Sequence, residues 1–301
     1  MARPKPKMKT ILCCCVVLST AFVPFAHADD PSTADKSQYT LLNPTPRELM
    51  RPWYTDNAGQ TPYTIDAGHF EGDVTAFGYA YFHRAYPPVQ QRSRKYIFGG
   101  TEIKAGLLNN VDIELSIVPY TIRTDNYTRS GTANRFFRRS GVDDLYSRIK
   151  WNLWGNDGGR TALSLGGVVY YPTGTGNISD ERYTGGLLVD FTAHLPWDIE
   201  MRIHDNALSS VDYPANSTTL TRDFSFQNEL SVLRPIVGNL KGYVLFNTYA
   251  FTSTGTDWQG TIGAGLNYRV TPNVELYAGA DFGVHGTSSD YSPFIGISAR
   301  F

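Results

Sequence analysis

Charged residues in this chain recur at every second position instead of gathering into runs. Glu71 and Asp73, Glu102 and Lys104, Asp112 and Glu114, Arg148 and Lys150, and Glu200 and Arg202 are each two apart, with apolar residues between or beside them. Two residues apart on a β-strand means one shared face. Asp144, Asp190, Glu229, Lys241, Arg269, Glu275, Asp281 and Arg300 fall on the same face of their own segments. If the sheet closes, that face becomes a lumen. Charges of both signs there could line a water-filled passage with a transverse field that orients polar solutes. They could equally pair across a narrow lumen and fill it. Counting by twos also turns Phe77, Tyr79, Tyr81, Tyr96, Phe98, Tyr146 and Tyr243 inward, either to guide aromatic or amphiphilic solutes or to pack on an N-terminal segment. The candidate lumen set is Glu71, Asp73, Tyr79, Tyr81, Glu102, Lys104, Glu114, Arg148, Lys150, Asp190, Arg202, Glu229, Arg269 and Asp281.

Other chemistries find little support. Serine hydrolysis needs a serine within hydrogen-bond reach of a histidine. None of His69, His83, His194, His204 and His285 has a serine two residues on, and Gly-x-Ser-x-Gly does not occur. Outer-membrane lipases are barrels too, so an enzyme stays open as the alternative to a channel, with a closed structural or adhesive barrel as a third. The histidines lack partners at metal-ligand spacing, and no catalytic residue, metal or cofactor is assigned. All three cysteines, Cys13, Cys14 and Cys15, sit in the N-terminal apolar run, so a chain cleaved beyond them has neither disulfides nor thiolate sites.

That apolar run reads as a secretory signal. Arg3, Lys5, Lys7 and Lys9 precede an apolar stretch over 11–22, and Ala26-His27-Ala28 offers small residues for cleavage after Ala28. The run is too short for a spanning helix, which needs roughly 20 apolar residues. Cleavage removes four basic residues and leaves 23 basic against 28 acidic ones, a net charge of −5. A mildly acidic chain gives no argument for nucleic acid. The expected organisation is a signal over 1–28, a periplasmic lead-in or lumen plug over 29–63, and a β-barrel over 64–301. Within the lead-in, Thr45-Pro46-Arg47-Glu48 has the form of a capping box opening a helix of about a turn and a half, ended by Pro52.

From residue 69 alternation hardly stops. Phe70, Gly72, Val74, Ala76, Gly78, Ala80 and Phe82 share one face of the first strand. Phe70 and Phe82 are roughly 40 Å apart along it, or roughly 28 Å at a 45° tilt, close to the ~25 Å apolar band of an outer-membrane barrel. Eleven further strands follow, although Asn228 in the eighth faces lipid and breaks the rule. Connections after even strands are short, while those after odd strands are longer, with 121–143 and 205–222 the largest. Short periplasmic turns, long external loops and an even strand number predict an all-β antiparallel transmembrane barrel of about twelve strands in the outer membrane of a Gram-negative cell. Tyr291, Ile295, Ile297 and Phe301 share one face of the last strand, which closes the barrel against the first and forms a signal for the barrel-assembly machinery. The long loop carrying Arg129, Arg135, Arg138 and Arg139 with Phe136-Phe137 could fold in as a constriction, bind lipopolysaccharide phosphates, or stand solvated.

Two stretches carry a resemblance. Tyr54-Thr55-Asp56-Asn57-Ala58-Gly59-Gln60-Thr61-Pro62-Tyr63-Thr64 with Ala67-Gly68-His69-Phe70, and Gly141-Val142-Asp143-Asp144-Leu145 with Lys150-Trp151-Asn152-Leu153, resemble a family of outer-membrane porins loosely linked with meta-cleavage phenol degradation. The likeness runs from about Trp53 to Phe301, and Asn57-Ala58 departs from the Arg-Pro expected after the aspartate. The resemblance implies a barrel for passage of small molecules and assigns no binding residue.

Overall fold

A computed structural model describes residues 35–86, 89–129, 134–176, 178–179, 182–212, 221–252, 258–285 and 288–301. The expected signal over 1–28, its cleavage site, and residues 213–220 of the 205–222 connection lie outside them.

Among the described residues, fourteen strands follow one short helical turn: β1 (Phe70–Tyr86), β2 (Val89–Leu108), β3 (Val111–Ile117), β4 (Tyr120–Arg129), β5 (Arg135–Gly141), β6 (Leu145–Trp154), β7 (Thr161–Tyr171), β8 (Tyr183–Leu195), β9 (Ile199–Asp212), β10 (Thr221–Val237), β11 (Leu240–Phe251), β12 (Gln259–Thr271), β13 (Val274–His285) and β14 (Tyr291–Arg300). Every pairing is antiparallel between neighbours in the ring, and β1 pairs with both β14 and β2, which closes it. Twelve strands form the ring. β4 and β5 are the outward continuations of β3 and β6, broken off at Pro119 and at 142–144; β4 pairs with the outer half of β2, whose inner half pairs with β3. The expected 121–143 loop is therefore a β-hairpin standing on the barrel. Likewise β9 runs to Asp212 and β10 starts at Thr221, so most of the expected 205–222 loop is strand. Hydrophobic alternation fails in both places because neither is wholly covered by lipid.

Closure is as expected. Phe70 and Phe301 exchange both backbone hydrogen bonds, at 2.8 and 3.2 Å, and Val74 lies opposite Ile297. Burial is inverted relative to a water-soluble fold. Ile103, Leu115, Ile149, Leu187, Val244, Ile295 and Ile297 are exposed outside, while Glu71, Lys104, Glu114, Arg148, Lys150 and Asp190 are buried inside. An apolar outer surface of this extent is stable only in lipid. The protein is an outer-membrane barrel.

Asn228, the break in the eighth expected strand, does face outward. It lies opposite Asp205 of β9 and donates to its carboxylate at 2.5 Å, so each polar side chain supplies the other's partner where lipid cannot.

One expectation about side-chain direction is overturned. The β1–β14 register slips between Val74 and Phe77, and on β2 Gly99 takes φ +66°, beside Ala76. An extra residue on a strand switches every later side chain to the other face. Phe77 lies opposite Ile295 and Tyr81 opposite Tyr291, both on the outer face. Tyr79 and Tyr81, expected in the lumen, therefore face outward, as do Phe77, Tyr96 and Phe98. Their rings form an aromatic girdle, with Tyr79 at 5.1 Å from Tyr96 and 5.6 Å from Tyr291, and Phe98 at 6.1 Å from Tyr120.

Candidate lumen site

Before β1 the chain enters the barrel. The expected capping box is not made: Arg47–Leu49 is a single 3-10 turn with Pro46 at its N-cap, and the Thr45 hydroxyl donates instead to Asn109 Oδ1 at 2.9 Å. A two-proline frame, Pro46 and Pro52, limits the turn to that length. Residues 51–69 then run through the lumen, most of them buried, six residues beyond the expected boundary at 63. Ala58 and Ala67 are completely enclosed, and Trp53, Tyr63 and Ile65 nearly so.

Polar bonds to the wall hold this segment. Trp53 Nε1 donates to Glu71 on β1, Thr55 Oγ1 to Glu275 on β13 at 2.7 Å, and Asn57 Nδ2 to Ser298 on β14 at 2.8 Å. From the wall, Lys150 and Asn152 donate to the carbonyls of Thr61 and Pro62 at 3.0 and 2.9 Å. Arg202 Nη1 donates to the carbonyls of both Thr55 and Gly59 at 2.8 Å, Arg269 to that of Trp53 at 2.9 Å, and Arg300 to that of Arg51 at 2.8 Å. Tyr63 Oη and His194 Nε2 are 2.8 Å apart. An irregular chain inside a barrel needs such partners, because its backbone groups are cut off from bulk water. Asn57 and Ala58, the positions that depart from the resembled pattern, both take part: Ala58 packs on Leu233 and Tyr243.

The hub is Asp56. Its Oδ2 accepts from Lys104 Nζ at 2.8 Å and from Arg148 Nη2 at 3.1 Å. Lys104 also meets Glu71 at 3.2 Å and Glu102 at 3.0 Å, and Arg148 also bonds Glu114 and Gln60. Burial would push the Asp56 carboxyl up, but Lys104, Lys150 and Arg148 outweigh it and hold it well below the usual carboxylate range. Burial pushes the Tyr63 hydroxyl far up, so it stays protonated. Nearer the periplasmic turns, Arg51 Nε pairs with Asp66 at 3.0 Å and with Asp157 at 3.1 Å. The fit is close enough to require a glycine on the wall: a Cβ on Gly106 would stand 2.2 Å from the Asp66 carbonyl.

Twelve of the fourteen expected lumen residues face inward: all but Tyr79 and Tyr81. Glu71, Glu102, Lys104, Glu114 and Arg148 join the Asp56 network, while Lys150, Arg202 and Arg269 bind the plug backbone. Asp73 accepts from Tyr277 at 2.8 Å and from Ser298. Glu229 and Asp281 stand on the far wall, with Glu229 Oε1 close against Gly59. Asp190 accepts from Ser164 at 3.0 Å and lies 2.5 Å from His204 Nδ1. In that row the carboxylate separates the serine from the imidazole, which is not the order in which histidine activates a serine. Asp56, Glu102 and Glu114 bring three carboxylates within a metal ion's span, but Lys104 and Arg148 already occupy them as counter-charges.

Asp56 itself was not singled out from sequence, since it lies in a segment without period. Above the plug, the rings of Tyr146 and Tyr170 meet inside at 5.2 Å, tilted by 44°, and Tyr146 donates to Glu102 at 2.8 Å. The four loop arginines separate. Arg138 lies opposite Thr124 on the outer face of the hairpin, whereas Arg129, Arg135 and Arg139 lie on its inner face with Arg123 and Tyr127.

A family model described as "Putative MetA-pathway of phenol degradation" matches residues 55–301. Among solved structures, an outer-membrane channel from Pseudomonas putida F1 has a TM-score of 0.57 at 14% identity, covering 83% of this chain and 100% of that one. It shares the fold. The translocator domain of the autotransporter NalP from Neisseria meningitidis has a TM-score of 0.47 at 12% identity, covering 77% of this chain and 88% of that one. The NanC porin has a TM-score of 0.46 at 15% identity, covering 76% and 98%. No curated protein matches the chain.

Proposed function

This chain belongs to the MetA-pathway phenol-degradation family, and we propose that it serves as a porin-like channel through which small molecules cross the outer membrane past a resident plug. One observation carries the reading. The plug is held to the wall mainly by hydrogen bonds and ion pairs around Asp56, Lys104 and Arg148, with a single small apolar contact where Ala58 meets Leu233 and Tyr243 among the described residues. Polar contacts of this kind exchange with water at far lower cost than a packed apolar core, so the interior can hydrate along the plug. Charges of both signs would then orient a polar solute.

The solute class that fits is small and polar to amphiphilic. An inner slide of aromatic rings is no part of the proposal, since Phe77, Tyr79, Tyr81, Tyr96 and Phe98 face outward, but Tyr146 and Tyr170 offer ring faces above the plug. A secretory signal cleaved after Ala28 and recognition of the Tyr291, Ile295, Ile297 and Phe301 strand by the barrel-assembly machinery complete the proposed route to the membrane, where lipid and lipopolysaccharide surround the barrel.

Purified protein in a planar bilayer should give small discrete conductance steps, and screening aromatic acids, sugars and fatty acids for block would name the solute class. A correctly inserted but silent barrel would favour the closed structural reading, which the extensive pairing of the buried charges also suits. Hydrolysis of a fluorogenic phospholipid would favour the enzyme.

A further inference from the structure

Beyond the girdle of Tyr79, Tyr96, Phe98 and Tyr291, the outer face of the barrel continues upward on β1, β2, β4 and β5. Because of the bulge at Ala76 and Gly99, the residues on that face are not those an unbroken count would give. Two and four residues beyond Tyr96 come Arg94 and Arg92. Arg94 lies opposite Tyr81 on β1 and Thr124 on β4, and Thr124 lies opposite Arg138 on β5. Arg92 lies opposite His83 and Asn126, and Asn126 opposite Phe136, which is 65% exposed.

We infer that Arg92, Arg94 and Arg138 form a binding site for the phosphate groups of lipopolysaccharide, with Phe136 beside them. The inference rests on the barrel's place in the outer membrane and not on its conducting. Three observations carry it. Counting two and four residues along a tilted strand, Arg94 and Arg92 stand roughly 5–10 Å above Tyr96, with Arg94 level with Tyr81 at the upper rim of the girdle, where the headgroups of the outer leaflet lie. Two cations on the inner face at the same level are neutralised: Lys95 pairs with Asp143 at 2.9 Å and Arg123 with Asp125 at 3.2 Å. Arg92, Arg94 and Arg138 have no carboxylate partner among the described residues, and no strand residue sharing their face on β1, β2, β4 or β5 is acidic. With strands about 4.8 Å apart, Arg94 and Arg138 are roughly 10 Å from one another, and Arg92 about 7 Å from Arg94. That spread suits a glycolipid bearing more than one phosphate better than a phospholipid bearing one, and guanidinium forks bind phosphate bidentately.

The test is native mass spectrometry of the folded full chain in detergent with bisphosphorylated lipid A, dephosphorylated lipid A or phosphatidylglycerol. Retention of bisphosphorylated lipid A is expected, about tenfold or more weaker in R92S/R94S/R138S, as for the loss of charge-assisted hydrogen bonds. The inner-face variant K95S/R123S/R139S should retain it, and heat-modifiable migration on gels would verify that both variants fold. Equal loss in both variants, no loss in the first, or equal binding of the dephosphorylated glycolipid would overturn the site. Conductance is scored separately, so a silent barrel that still binds lipid A counts only against the channel.

Discussion

At the scale of single residues, Asp56 decides how firmly the plug is seated. Its carboxylate is the shared partner of Lys104 and Arg148, both buried. Replacing one member of such a network leaves uncompensated charge and costs about 3–5 kcal/mol. Asp56→Asn should therefore lower the temperature at which the barrel loses heat-modifiable migration and raise its conductance by loosening the plug; unchanged values for both would remove Asp56 from its central role. The pH dependence has a definite sign. A carboxyl held below its ordinary value contributes stability that is complete above the unfolded value near 3.9 and fades as pH falls through the lower folded value. Plug seating reported by conductance should stay flat from pH 8 to pH 5 as far as Asp56 is concerned. The charges that meet Asp56 were legible in sequence because each sits on a strand of period two. Asp56 was not, because an irregular segment has no period to mark which way a side chain points.

At the scale of the elements, the bulge in β1 and β2 carries most of the difference between expectation and structure. Strict alternation is a rule about unbroken strands, and it placed Tyr79 and Tyr81 inside. Gly99-Gly100 in the middle of β2 was the available signal, since glycine within a strand often marks a bulge, and Gly99 does adopt a positive φ there. Fluorescence tests the switch directly. Measured as the signal added to that of the five native tryptophans, the emission of Tyr79→Trp should be quenched strongly by lipids carrying a nitroxide near the headgroup, and that of Tyr146→Trp should not. Equal quenching of the two would restore the unbroken register. The closing strand, by contrast, was legible residue by residue, because β14 contains no bulge and Phe301 pairs where alternation put it. The arginine hairpin was hidden for a different reason. A sheet with water above the membrane has no apolar face to alternate, so β4 and β5 look like loop.

At the scale of the whole barrel, the described residues form an apolar outer face around a polar interior threaded by residues 51–69. Lipid satisfies the outside, while the plug and wall satisfy each other within. A narrow channel follows if water and solute pass along that polar seam, and the plug then sets the conductance. Single-channel recording of the full chain beside one lacking residues 35–63 addresses this most directly, with heat-modifiable migration verifying that the shortened barrel folds. Small steps from the full chain and several-fold larger steps from the shortened one are the predicted result. Silence from both, or identical conductance, would contradict it.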